Sequence, residues 1–100
     1  MATPLEHVPV AQPGLRVRLY VAGDAPNSRV AISTVLSVIE QARVEINLEI
    51  IDVLSDPERG LQDGVLLTPM LVRSDPPPER RILGNLGDRA KLLDVLSLGG

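Results

Sequence analysis

From Arg16 to Ala22 apolar and polar positions alternate, with Val17, Leu19 and Val21 on one side and Arg16, Arg18 and Tyr20 on the other. A period of two sends successive side chains to opposite faces of an extended chain, so this stretch predicts a first strand. Gly23 to Ser28 then supplies turn chemistry, and the side chains of Asp24, Asn27 and Ser28 can accept from the free amides of a first helical turn. The spacing predicts a helix starting between Pro26 and Ser28, with Ser28 as a capping residue. Ala31, Val35, Val38 and Ala42 recur beside Ile32, Leu36 and Ile39. They form a wide apolar stripe that ends near Ala42 or Arg43 and packs on a sheet.

Glu45 to Val53 alternates and then becomes continuously apolar, as a strand does where both of its faces are covered. Strand, helix and strand within about 38 residues require a right-handed crossover with the two strands parallel. Asp56-Pro57-Glu58 suits a first helical turn, while Gly60 and Gly64 keep the helix that starts there short.

The apolar run Val65 to Val72 is broken by Pro69, and Pro76, Pro77 and Pro78 separate it from Ile82-Leu83 and Gly84. Proline lacks the donor that a central strand or helix needs, so this region predicts two strands joined by a stiff polyproline connector. Asp88 is placed to cap a last helix with Leu92, Leu93 and Leu96 on one face, Lys91 near its middle and Gly99 beyond its end. The predicted architecture is a mixed α/β sandwich, βαβαββα, with helices on both faces. It spans residues 15–98 and comes after a disordered tail, residues 1–14, that carries Pro4, Pro9, Pro13 and Gly14.

The composition narrows the function. Tyr20 is the one aromatic residue, so the core is aliphatic, and stacking platforms for single-stranded nucleic acid are missing. A net charge of −3 gives no long-range attraction for a phosphate backbone, and nucleic acid is not an expected partner. Nine of the ten cations are arginine, which favours planar pairing with carboxylate or phosphate. The chain has no cysteine, which removes disulfides, thiol nucleophiles and thiolate metal sites. No stretch approaches the ~20 apolar residues of a membrane span, and the expectation is a cytoplasmic protein with no membrane partner.

Few residues offer chemistry. Ser28 at a helix start has no basic neighbour in prospect, because His7, the one histidine, lies in the tail. Asp52, Asp56, Glu58 and Asp63 form an acidic stretch, but magnesium requires carboxylates held rigidly around an octahedron. A receiver-type site would also need an acidic pair after the first strand, where Val21-Ala22-Gly23 stands. The acids read as a solvated cluster that starts a helix, and no metal, cofactor or catalytic residue is expected. Arg80 and Arg81 must face opposite ways on a strand. They read either as a surface pair neutralised by Glu79 or Asp75, or as an anchor for an acidic patch on a partner.

Several blocks together carry a family resemblance. Leu19-Tyr20-Val21-Ala22-Gly23 with Pro26-Asn27-Ser28 precedes Ile51-Asp52-Val53-Leu54 with Pro57. Leu67-Thr68-Pro69 comes next, then Pro76-Pro77-Pro78 with Arg80-Arg81-Ile82, Gly84 and Arg89. In that order and spacing, from about Arg16 to Leu96, they resemble the KaiB family of circadian-clock proteins. The resemblance implies a non-enzymatic adaptor that binds a KaiC-like ATPase and regulates its phosphorylation and ATPase cycle, in a circadian, clock-like or stress-signalling setting. It implies two packings of one chain, a thioredoxin-like form that binds the ATPase and a ground-state βαββααβ order that assembles as a homo-oligomer, dimer or tetramer. It further implies Arg29, Arg80 and Arg81 as partner-binding residues, Pro69, Pro76, Pro77, Pro78 and Gly84 as switch positions, and a cis bond at Thr68-Pro69. Glu49 and Gly64 stand where the cyanobacterial proteins carry lysines, and Leu98-Gly99-Gly100 replaces their acidic extension. The alternative expectation is a sensory or scaffold module that contacts a histidine kinase.

Overall fold

Seven elements run in the order β1 (Leu15–Val21), α1 (Pro26–Gln41), β2 (Ile46–Asp52), α2 (Pro57–Gln62), β3 (Met70–Asp75), β4 (Arg80–Leu83) and α3 (Arg89–Leu96). The computed structural model describes residues 14–42, 45–84 and 86–96, and within them the predicted βαβαββα succession is present. One sheet of order β2-β1-β3-β4 runs through the domain. The first crossover makes β1 parallel to β2, from Leu15 opposite Ile46 to Val21 opposite Asp52. β3 is antiparallel to both β1 and β4. The expected tail lies outside the described residues apart from Gly14, as do Arg43 and Gly99.

The alternation along β1 sorts the interior into two clusters. Leu15, Val17, Leu19 and Val21 join Leu71 and Ile82 beneath Ala31, Val35 and Val38 of α1 and Leu92, Val95 and Leu96 of α3. Burying each of the leucine, valine and isoleucine side chains stabilises by about 1.5–3 kcal/mol, so this cluster is the main source of stability. On the other sheet face Tyr20 packs with Ile51, Met70 and Val72, and Val53 and Val65 close its margin. Tyr20 is fully buried although it shares its strand face with two arginines.

Three local expectations are corrected. Val65 to Pro69 is not strand, and the ladder starts at Met70 opposite Tyr20. Gly64 turns the chain at a φ of 71°, Pro69 has no N–H to offer, and Leu66 and Leu67 are left 91% and 61% exposed. Pro76 to Pro78 is not an extended connector. Because Met70 to Arg73 pairs antiparallel with Leu83 to Arg80, the chain must reverse there, and the prolines form a hairpin loop. The peptide bonds before Pro69, Pro76 and Pro78 are cis, as the resemblance implied for the first of them.

The third correction concerns Ser28. Ala25 occupies the N-cap of α1 without a side-chain bond, and proline at N1 supplies the helical φ. Ser28 is buried, and its Oγ accepts instead from the Ala22 amide at the end of β1, at 3.0 Å. Asp88 does cap α3, accepting from the amides of Ala90 and Lys91 at 3.1 and 3.3 Å. Asp56 does the same for α2 through the Arg59 amide.

Candidate functional site

The start of α1, the turn before β3 and the segment after β4 meet at one end of the sheet. Asn27 and Val30 of α1, Thr68 and Pro69, and Gly84, Leu86 and Gly87 line a cleft of about 230 Å³. The Gly84 amide donates to the Pro69 carbonyl at 3.0 Å, which brings together two positions expected to act in conformational switching. Gly84 holds a φ of 83°, in the left-handed region where a Cβ is unfavourable. Val30, Leu67 and Leu83, which line the cleft or adjoin its lining residues, are each more than half exposed. Exposed aliphatic side chains therefore stand in the cleft lining or next to it in sequence, and apolar contact is the chemistry they offer.

Pro76, Pro77 and Pro78 lie at the opposite end of the β3–β4 hairpin from Pro69 and Gly84. Arg29 sits in the first turn of α1, beside Val30, and faces Asp24 at 3.7 Å. Arg80 and Arg81 point to opposite faces, as their adjacency required. Arg80 reaches Asp94 of α3 at 3.4 Å. Arg81 pairs with Glu79 at 2.7 Å and donates to the Asp63 carbonyl at 3.4 Å. The expected partner Glu79 is thus found for Arg81 alone, and the three arginines do not converge on one point.

The acidic stretch is not one cluster. Asp52, at the end of β2, accepts from the amides of Gly23 and Leu54 at 2.9 Å each and from the Ser55 hydroxyl at 3.2 Å. The two amides hold its carboxyl below the usual aspartate range. Asp63 accepts from the Tyr20 hydroxyl at 2.6 Å and from Arg59 Nε at 2.9 Å, and both bonds hold its pKa down, the tyrosine bond more strongly. The other two guanidinium nitrogens of Arg59 grip Glu49 in a fork at 3.0 and 3.1 Å, which lowers the Glu49 pKa and raises that of the arginine. Burial, then the bond to Asp63, pushes the Tyr20 hydroxyl up. Each of these carboxylates is a strut between elements, and among the described residues no group of acids or histidine is arranged to hold a metal ion.

Sequence reading missed this network, because the link from Tyr20 to Asp63 spans 43 positions and leaves no periodic trace. It also missed Arg73, a buried cation on β3 whose guanidinium donates to the carbonyls of Val95 and Pro78 and ties α3 to the hairpin loop. The signal available was an arginine at a position whose neighbours in the pattern, Leu71 and Ile82, are core. Among the described residues no helix is long and apolar enough to cross a membrane.

Comparison with known proteins places this geometry in a lineage. A KaiB domain model matches residues 18–98. The circadian clock oscillator protein KaiB of Prochlorococcus marinus subsp. pastoris is 42% identical over 90 residues, covering 89% of this chain and 84% of that protein. Among solved structures, the N-terminal domain of Synechococcus elongatus SasA superposes with a TM-score of 0.69 at 28% identity, over 88% of this chain and 87% of that one. Fasciola hepatica thioredoxin reaches 0.72 at 20% identity, over 93% and 88% of the two chains, a likeness of fold. With a thioredoxin-like sheet, a match over more than four-fifths of its length and relatives that are circadian clock proteins, the chain belongs to the KaiB family.

Proposed function

We propose that this protein is a non-enzymatic, cytoplasmic clock adaptor. Its thioredoxin-like form docks on a KaiC-like ATPase and regulates that partner's phosphorylation and ATPase cycle. The observation that carries the reading is the exposure of Val30 in the Pro69 cleft and of Leu67 and Leu83 next to its lining residues. The cleft stands at the end of the fold where α1 starts, and the stretch Ala25-Pro26-Asn27-Ser28 there holds no thiol for redox chemistry. Arg29 flanks the surface with an exposed charge, and arginine beside apolar anchors is the usual composition of an interface. A second packing of the C-terminal half, with Pro69, Pro76, Pro77, Pro78 and Gly84 as its pivots and self-assembly as a dimer or tetramer, belongs to the same proposal.

Incubating the purified chain with its cognate KaiC-like ATPase and ATP should give a complex that co-elutes on size exclusion and changes the rate of ATP hydrolysis. If the binding-competent form is a minor fraction, apparent affinity falls by that fraction and the complex forms slowly. No complex at high micromolar concentration of both proteins, or turnover of a substrate by the chain alone, would overturn the proposal. The likeness to the SasA N-terminal domain supports a second reading, contact with a histidine kinase. Competition between kinase and ATPase for the chain separates the two.

A further inference from the structure

The sheet face opposite α1 and α3 is only partly covered by α2, and its uncovered end forms a groove of about 160 Å³. Arg16, Val17 and Arg18 of β1, Asn47, Leu48 and Glu49 of β2, and Ser74 of β3 line it. Arg16 and Arg18 lie on the same strand face, about 7 Å apart along β1. Their bonding differs from that of the other described arginines. Arg29, Arg59, Arg80 and Arg81 each face a carboxylate, Arg73 donates to carbonyls, and Arg89 donates to Ser37 and Gln41. The Arg16 guanidinium has no acceptor among the described residues. Arg18 uses its Nε on the Tyr20 hydroxyl, at 2.7 Å, which leaves its two terminal nitrogens for a ligand.

Glu49 and Asp63 feel the charge of Arg18, but no acid among the described residues forms an ion pair with either arginine. Glu49 faces Arg18 in register, but Arg59 grips both of its oxygens. Asp75 stands opposite Arg16 in register without forming an ion pair. A second feature points to the same place. Val17 pairs with Arg73 and Arg16 with Asp75, so Ser74 is an extra residue, a bulge in the β1–β3 ladder. Bulges re-aim side chains and recur beside functional sites. Here the bulged serine lines the groove beside Arg16, and its Oγ has only a long 3.4 Å bond to the Arg16 carbonyl.

We propose that the groove formed by Arg16, Arg18, Asn47 and Ser74 binds a phosphoryl group. The donors come from three adjacent strands, two forked guanidinium groups, an amide and a hydroxyl, and therefore approach from different directions. A planar carboxylate meets one fork well, whereas a tetrahedral phosphoryl group presents three terminal oxygens to several donors at once. The site is separate from the Pro69 cleft and independent of which protein docks there.

Titrating isotope-labelled protein with inorganic phosphate, phosphoserine, acetate and chloride at constant ionic strength, and tracking amide resonances, tests the assignment. Phosphate or phosphoserine should give saturable shifts confined to residues 16–18, 47–49 and 73–75. The tighter of the two tells whether the source is the free ion or a phosphorylated side chain. Arg16→Gln should weaken binding roughly tenfold, Arg18→Lys should weaken it through loss of the fork, and Lys91→Gln should leave it unchanged. Arg16 is exposed and unbonded through its side chain, so its substitution leaves the fold intact, as the rest of the spectrum will report. Shifts that do not saturate, that spread over the surface, that acetate reproduces, or that survive Arg16→Gln overturn the proposal.

Discussion

The Tyr20 hydroxyl donates to Asp63 Oδ2 at 2.6 Å while accepting from Arg18 Nε at 2.7 Å. The single aromatic residue thus joins the middle of the sheet to the C-terminal end of α2, and its ring supplies the second, smaller core. Tyr20→Phe keeps the ring and deletes both bonds. Asp63 retains Arg59, so the expected loss of stability is about 1–2 kcal/mol, read as a lower urea midpoint. An unchanged midpoint would show that the strut contributes nothing.

The lowered carboxylates set a pH dependence. Asp52, Asp63 and Glu49 all have folded-state pKa values below their ordinary ones. The unfolded chain therefore binds more protons in the acid range, and stability rises with pH there. The contribution is complete above the unfolded values of about 4 and is lost as pH falls through the lower folded values. Denaturant midpoints measured from pH 7 down to pH 2 should be flat and then fall below about pH 4. Asp63→Asn should flatten that fall. A midpoint that rises on acidification contradicts the assignment.

The periodic parts of the fold were legible and the loop-borne parts were not. The period-two pattern of β1 and the apolar stripe of α1 fix which faces are buried, and Ala31, Val35 and Val38 are indeed core. The cap Asp88 was legible because a cap is a local bond between near neighbours. Val65 to Pro69 misled because its apolar run reads as a strand, whereas an exposed surface of leucines leaves the same trace as a buried one. Arg16 and Arg18 read only as the polar side of a strand. Their distinction is that, unlike the other described arginines, neither forms an ion pair or donates to a carbonyl among the described residues, and the Arg18 side chain bonds only the Tyr20 hydroxyl.

Ser28 gives the sharpest contrast between the two readings of one residue. If it were a cap, Ser28→Ala would unravel the first turn of α1. In the structure it serves the Ala22 amide, so the variant should leave helix content unchanged and cost about 1–2 kcal/mol by orphaning that donor. Hydrogen exchange distinguishes them. Protection should drop at Ala22, at the end of β1, while the amides of α1 keep theirs. Faster exchange across the first turn of α1, with Ala22 unaffected, would restore the capping role.

Arg80 and Arg81 allow the docking face to be found with two substitutions. Both ion pairs are substantially exposed, so Arg80→Ala and Arg81→Ala should each change stability by less than about 1 kcal/mol. Their effects on a partner should differ, because alternate residues of a strand share a face. Leu83, which is half exposed and adjoins the Pro69 cleft, lies on the Arg81 side, whereas Arg80 turns toward Asp94 of α3. Arg81→Ala should therefore weaken the proposed complex with a KaiC-like ATPase roughly tenfold or more, and Arg80→Ala much less. Interferometry on both variants, with thermal melts as the control for folding, checks the ranking. The opposite order would move the docking surface to the α3 face, and equal small effects would remove both arginines from it.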